Sequence, residues 1–295
     1  MSLLTIDVGG TSVKHALFSQ GKLSEKGSFP TPKTLADYYA KLTELVENYK
    51  QLTMISGVAI SSPGAVNQAT GVIEGASALP YIHQFDIRSE LETRFGLPVS
   101  LENDANCAAL AEVKFGAAKG MKDVILLVLG TGVGGAIVID GKIRHGKHLF
   151  GGEFGFMLMD EQHSFSALGT AIGMANRYKK RTGNDLTGEE IFERAFAGEG
   201  IAKEEMAIFL FNVAKGIFNL TYAFDPECLI IGGGVSQADW LIPELEKELQ
   251  KIVDSSGIAP FLPNIKPCQF RNDANLIGAA VDFEQTFGSG HSDKV

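Results

Sequence analysis

Two hydrophobic strands in this chain each run into a glycine–threonine turn and leave it as another strand. The first covers Leu3 to Asp7, turns through Val8-Gly9-Gly10-Thr11 and continues as Val13 to Phe18. The second covers Val124 to Leu129, turns through Gly130-Thr131-Gly132-Val133-Gly134-Gly135 and continues as Ala136 to Ile139. Glycine lets backbone N–H groups approach an anion closely, and a threonine hydroxyl adds a side-chain donor. Two such turns about half a chain apart predict two lobes gripping one polyphosphate.

With 295 residues, 45% of them hydrophobic, the chain can bury a large core, and two domains are the better expectation. A net charge of −9 argues against a nucleic-acid partner, whose phosphates would have to be neutralised by Lys and Arg. A nucleotide pocket stays open, because backbone amides and a metal ion can handle its charge. Cys107, Cys228 and Cys268 lie far apart without metal-site spacing, as suits a reducing compartment. The chain enters a strand almost at once, with no signal-peptide pattern, and no apolar run approaches the ~20 residues of a membrane span. The expectation is a cytoplasmic globular protein with no membrane partner.

Strands and helices interleave throughout, which is the α/β signature. Residues 13–18 and 22–29 read as a hairpin turning at Ser19-Gln20-Gly21, and Thr34 to Gln51 as an amphipathic helix. A strand at Ser56–Ile60 ends in the breaker Ser61-Ser62-Pro63-Gly64. A helix over Asp86–Phe95, a strand over Val99–Leu101 and a helix over Ala105–Phe115 follow. The small-residue stretch Phe115 to Met121 marks the lobe boundary, giving an N-terminal lobe over 1–117 and a C-terminal lobe over 118–273. In the second lobe Asp140-Gly141 is a tight turn. Helices are expected at Ala167–Arg181, Ile201–Phe224 and Ser236–Val253, with a strand at Cys228–Ile231. The last helix, 274–287, packs back on the first lobe, and the tail Gly288–Val295 is frayed.

Asp7 stands at the carboxyl end of a strand, where ligands of open α/β sheets collect. It is a candidate to hold Mg²⁺ through water, since that ion keeps much of its hydration shell; an ordinary hairpin turn is the competing reading. Gly130 to Gly135 matches Gly-x-Gly-x-x-Gly, but a dinucleotide site needs a helix next, and Ala136 to Ile139 is a strand. No Gly-x-x-x-x-Gly-Lys-Ser/Thr run occurs, so a P-loop is excluded as well. Asn103 or Asp104 alone reads as a helix N-cap. Functionally, Asn103 would orient a sugar hydroxyl and Asp104 accept its proton during attack on a γ-phosphate. Glu153 sits in a flexible glycine setting, Gly151-Gly152-Glu153-Phe154-Gly155. The triplet Gly232-Gly233-Gly234 before a helix would let a nucleotide lie against backbone. His15, His83, His145, His148, His163 and His291 form no ligand pattern.

In order, these motifs resemble the ROK family of bacterial sugar kinases, within the actin-like, hexokinase-like (ribonuclease H-like) two-lobe ATPases. The resemblance runs through Asp7-x-Gly-Gly-Thr11, Pro63-Gly64-Ala65-Val66, Glu102-Asn103-Asp104-Ala105-Asn106, Gly130-Thr131-Gly132-x-Gly134-Gly135, Gly152-Glu153-Phe154-Gly155, and Asp225-Pro226-Glu227 leading to Gly232-Gly233-Gly234-Val235-Ser236. It implies ATP and Mg²⁺ in an interlobe cleft, phosphates at Gly9, Gly10, Thr11, Gly130, Thr131 and Gly132, and adenosine near Gly232–Gly234. It also implies sugar contacts from the Gly64 turn, Asn103, Asp104 and Glu153, with Asp104 as general base, and a homodimer.

One departure sharpens the substrate. Typical members carry a histidine where this chain has Phe156, followed by a cysteine cluster for structural zinc and a further glutamate. Met157 to Ala167 holds no cysteine and is short, with Ser164 nearest that glutamate, so no zinc is expected. Loss of that polar clamp weakens recognition of a free anomeric hydroxyl, and Phe156 supplies an apolar platform for an aglycone. The pattern resembles the zinc-less β-glucoside kinases of the family, which act on the 6-hydroxyl of the non-reducing glucose of cellobiose and related glucosides. The rivals are a kinase for a free hexose (glucose, fructose or N-acetylmannosamine) and a sugar-sensing regulator without catalysis.

Overall fold

A computed structural model describes residues 2–288. They form two compact units. The first takes in the chain up to Lys119, a short excursion His145–Phe150, and the stretch from Asn272; the second is Gly120–Arg144 with Gly151–Arg271.

The first unit opens with β1 (Ser2–Val8), β2 (Ser12–Ser19) and β3 (Lys22–Pro30), an antiparallel meander. Strand β1 is buried from Leu3 to Val8, as a strand covered on both faces must be. Helix α1 (Leu35–Leu52) starts where the Thr34 hydroxyl accepts the Asp37 N–H, and it buries the stripe Tyr38, Leu42, Leu45, Val46 and Tyr49. Then come β4 (Val58–Ser62), the small hairpin of β5 (Ala65–Asn67) and β6 (Val72–Glu74), α2 (Ile87–Phe95), β7 (Val99–Asn103) and α3 (Asp104–Phe115). The sheet order is β3-β2-β1-β4-β7, with β1, β4 and β7 parallel. The carboxyl ends of those three strands therefore lie side by side, and they carry Asp7, Ser61 to Gly64, and Asn103.

The second unit repeats this plan. Strands β8 (Val124–Leu129), β9 (Val133–Ile139) and β10 (Lys142–Ile143) form the meander, and Asp140 and Gly141 both take positive φ at its tight turn. Helices α4 (Phe165–Leu168), α5 (Ala171–Thr182), α6 (Gly188–Phe196) and α7 (Gly200–Phe224) precede β11 (Cys228–Gly232), α8 (Leu241–Ser256) and β12 (Ile265–Pro267). The sheet order is β10-β9-β8-β11-β12, with β8, β11 and β12 parallel. The last helix, α9 (Ala274–Phe287), packs on α3, β4, β1 and β7 of the first unit.

Several elements differ from the sequence reading. The expected helix 167–181 is two helices, because the Thr170 hydroxyl accepts the Gly173 N–H and starts α5 afresh. The helix expected from Ser236 is first a 3-10 turn, Gly234–Gln237, and α8 begins only at Leu241. Helix α6 was missed although Thr187 and Glu190 form a capping box, the local signal that marks such a start. The expectation that no apolar run approaches a membrane span also needs correcting. Helix α7 is long and apolar enough by length and composition, but half of its most apolar window is buried inside the unit. Its length is that of a core helix onto which α4, α5, α6 and α8 pack. The frayed-tail expectation and His291 lie outside the described residues, apart from Gly288.

Candidate active site

Two turns of the same build end β1 and β8. The Gly9 N–H donates to the Ser12 carbonyl at 3.0 Å, and the Gly130 N–H donates to the Gly132 carbonyl at 3.0 Å. The first glycine of each motif thus closes its own turn and does not offer its N–H to a ligand. The next N–H groups, of Gly10 and Thr11 and of Thr131 and Gly132, have no hydrogen-bond partner among the described residues. Thr11 and Thr131 are exposed. Unpaired, outward N–H groups beside a hydroxyl make an anion-binding concavity.

Asp7 is buried just before the first turn, and its Oδ1 accepts both the Ser61 hydroxyl and the Asn275 amide at 3.0 Å. Both bonds fall on one oxygen, so Oδ2 is the one suited to a hydrated cation. Among the described residues no group of three or more His, Cys, Asp or Glu could cage a metal ion. A lone carboxylate contacting Mg²⁺ through water fits this donor set.

Asn103 does two jobs at the start of α3. Its Oδ1 accepts the N–H groups of Ala105 and Asn106 at 2.9 and 3.2 Å, and its Nδ2 donates to the Gly64 carbonyl at 3.0 Å. The cap reading of Asn103 is thereby a structural fact, with one Nδ2 hydrogen left for a ligand. Asp104 follows as the first helical residue, half-buried, its Oδ1 accepting the Ala105 N–H at 2.8 Å.

In the second unit Gly233 (φ +92°) lies against β8. A Cβ there would run into the Leu129 carbonyl, directly before the Gly130 turn. The glycine triplet and the second phosphate-type turn are therefore neighbours. Gly234, by contrast, faces open space. Ser236 locks the triplet by donating from Oγ to the Gly233 carbonyl at 2.7 Å.

The surroundings of Glu153 correct the flexible-loop expectation. A Cβ on Gly152 (φ +96°) would strike the Gly135 backbone, and the Phe154 ring packs over Gly135. These glycines exist for close packing on β9, and Glu153 is an exposed carboxylate on a rigid support. Phe156 closes the 3-10 turn Phe154–Phe156 and is 73% exposed, and Leu158 two residues on is 74% exposed. Asn103, Asp104 and Gly64 belong to the first unit, and Glu153 and Phe156 to the second. Glu227 is structural: its Oε1 accepts the N–H groups of Lys122 and Asp123 at 2.6 and 3.1 Å.

Sequence reasoning missed the acid behind the Asn103 corner. Glu102 is 1% exposed, and His145 and Gln68 both donate to it. Asp282, on α9, is 4% exposed and shares the Gln68 amide at 2.7 Å. Burial, then the Glu102 charge, pushes the Asp282 carboxyl up to about 7. The hydrogen bond to Glu102 raises His145 against the opposing effect of burial. Cys107, on the inner face of α3, is held well above the ordinary thiol range by burial and by the carboxylates around it.

The chain matches the ROK family over residues 3–286. A β-glucoside kinase of Klebsiella pneumoniae is 34% identical, with all of both chains covered. An N-acetyl-D-glucosamine kinase of Pasteurella multocida is 30% identical over 94% of this chain and 97% of that protein. Among solved structures, a ROK family protein of Streptococcus pneumoniae in complex with sucrose superposes with a TM-score of 0.90. It is 37% identical and is matched over 98% of this chain and 100% of its own. A ROK family glucokinase of Streptomyces griseus bound to glucose and AMPPNP gives a TM-score of 0.77 at 25% identity, over 95% of this chain and 98% of its own.

Proposed function

The chain belongs to the ROK family and is an ATP-dependent sugar kinase, and from that premise we propose that its acceptor is a β-glucoside, phosphorylated on the 6-hydroxyl of the non-reducing glucose. The observation that carries this reading is Phe156. Where typical members place a sugar-contacting histidine, this chain presents an exposed ring on a rigid turn, followed by an exposed Leu158. An aromatic face can stack on a second sugar or an aryl aglycone, and it offers nothing to a free anomeric hydroxyl.

Asp104 is the general base in this reading, taking the proton of the 6-hydroxyl as that oxygen attacks phosphorus. Asn103 and Glu153 orient the ring, and Gly64 fixes the Asn103 amide. Phosphoryl transfer asks a protein mainly for positioning and charge neutralisation, so one well-placed carboxylate suffices. The N–H groups of Gly10, Thr11, Thr131 and Gly132 are the phosphate donors, while Gly9 and Gly130 shape the turns. Gly232, Gly233 and Gly234 lie on the nucleoside side. Asp7 would hold Mg²⁺ through water; when bound, that ion neutralises charge on the phosphate oxygens. No zinc ion is assigned, since Met157 to Ala167 supplies no thiolate. We also infer a cytoplasmic homodimer, for which exposed Phe211 and Tyr222 on one side of α7 supply apolar surface.

A coupled ADP-release assay over cellobiose, a β-aryl glucoside, glucose, fructose and N-acetylmannosamine tests the acceptor. The β-glucosides should give the highest kcat/KM. The second reading, a kinase for a free hexose, draws on the N-acetyl-D-glucosamine kinase and glucokinases among the relatives. Preference for any free hexose would establish it instead.

A further inference from the structure

We propose that His145 is a positioning residue for phosphoryl transfer, acting through the buried carboxylate of Glu102 to hold Asn103 and Asp104 in place. The inference rests on the reading of Asp104 as the base, and it concerns a residue to which no motif assigned a role.

Glu102 is the hub. Its Oε1 accepts the Asn103 backbone N–H at 2.6 Å and the Asn106 amide at 2.9 Å, so one oxygen spans the first turn of α3. Its Oε2 accepts the Gln68 amide at 2.8 Å and the His145 Nε2 at 2.6 Å. A carboxylate with bonds on both oxygens from four directions has little freedom to turn, and its hold on the Asn103 N–H sets where α3 begins. Asp104 is the next residue, so a shift of Glu102 is passed to it through a single peptide unit.

His145 differs from the other partners. Gln68 and Asn106 are uncharged, whereas an imidazolium gives a charge-assisted bond to a carboxylate, about twice as strong as a neutral one. That charge has an evident purpose. Glu102 and Asp282 meet on the same Gln68 amide, and two buried carboxylates in one site repel each other. Asp282 Oδ2 has no hydrogen-bond partner among the described residues. His145, its side chain 27% exposed, places at the edge of this cluster a donor to Glu102 that carries positive charge when protonated. The groups facing His145 are thus Glu102 on β7 and Asp282 on α9, with the Cys107 thiol on α3 beside both acids. His145 also begins the one stretch, His145–Phe150, in which the chain leaves the second unit for the first before returning at Gly151.

The test compares His145→Ala, His145→Gln and Glu102→Gln with the wild type, using whichever sugar the wild type turns over best. A mistaken acceptor therefore leaves the comparison standing. In H145A, kcat/KM for the sugar should fall by about 10²-fold, the cost of a small misplacement of reacting groups. KM for ATP should hold, and the variant should remain fully folded at the assay temperature. H145Q, whose amide can reach the Nε2 position but carries no charge, should recover part of that loss. Adding H145A to E102Q should cost little more than E102Q alone, because both act on one link. Activity in H145A within two-fold of wild type would overturn the proposal, as would H145Q no better than H145A or full additivity with E102Q. Full turnover by Asp104→Asn would instead remove the base assignment, a separate failure.

Discussion

Asn103 donates its side-chain amide to the Gly64 carbonyl at 3.0 Å while capping the helix whose first residue is Asp104. The turn after β4 and the start of α3 are thereby one object. That geometry fixes where the Asp104 backbone sits, and it gives the corner a single point of failure. Asn103→Ala removes two cap bonds and the tie to Gly64 together. Unfolding stability should drop by about 0.5–2 kcal/mol, the range for a lost N-cap. The activity loss should exceed what the unfolded fraction explains, and urea denaturation alongside kcat measures both.

Asp104→Asn keeps the shape of the corner and removes the proton acceptor. General-base contributions run to about 10²–10⁴-fold in rate, so kcat should fall by that much with the folded state intact. Titration calorimetry should still detect sugar binding. Near-normal kcat would sink the assignment.

The glycine triplet offers a matched pair. An alanine at Gly233 would meet the Leu129 carbonyl in a positive-φ backbone, whereas at Gly234 it meets nothing. Gly233→Ala should therefore raise KM for ATP and destabilise the fold by more than ~1 kcal/mol. Gly234→Ala should leave stability near wild type. Denaturation midpoints and ATP kinetics on the two variants separate the cases, and equal behaviour would show that the contact with β8 does not matter.

The buried acids predict a pH dependence with a definite sign. Asp282 sits at about 7 when folded against an ordinary 3.8, so the native state binds more protons than the unfolded chain between those values. Stability contributed by holding that proton is present at acid pH and lost as pH rises through about 7. The raised His145 works in the same direction above its ordinary 6.5. Asp282→Asn removes the first contribution and should flatten the decline, by up to a few kcal/mol between pH 5 and 8. Chemical denaturation at the two pH values reads this, and an unchanged slope would refute it.

The parts of the fold visible in the sequence are those written in short windows. Both glycine–threonine turns, the stripe of α1, and the Asn103-Asp104 corner each depend on residues within a helical turn or a strand. What escaped depends on partners far apart in the chain. Gln68, Glu102, His145 and Asp282 converge from four distant parts of the chain, and nothing local distinguishes a buried Glu102 from a solvated one. For the same reason Gly9 and Gly130 looked like phosphate donors. Glycine marks the turn, but only the coordinates show that the first N–H closes it onto Ser12 or Gly132. The glycines around Glu153 misled in the opposite direction, since composition cannot tell flexibility from tight packing on β9.

Phe156 is where the substrate proposal is most exposed to test. Phe156 is largely solvent-accessible, so truncation costs the fold little, and the pattern of loss across acceptors shows what the ring does. If the ring stacks on an aglycone, Phe156→Ala should lower kcat/KM for a β-aryl glucoside by about 2- to 12-fold, the equivalent of the ~0.5–1.5 kcal/mol of an aromatic pair. The loss should fall mainly on KM, because the platform holds the aglycone equally in ground and transition states. Activity on glucose, which has no aglycone, should stay within two-fold. Phe156→His, which restores the histidine of typical family members, should raise glucose relative to cellobiose. A uniform loss across all acceptors would mean that Phe156 supports the Glu153 turn and says nothing about substrate, and the free-hexose reading would then gain.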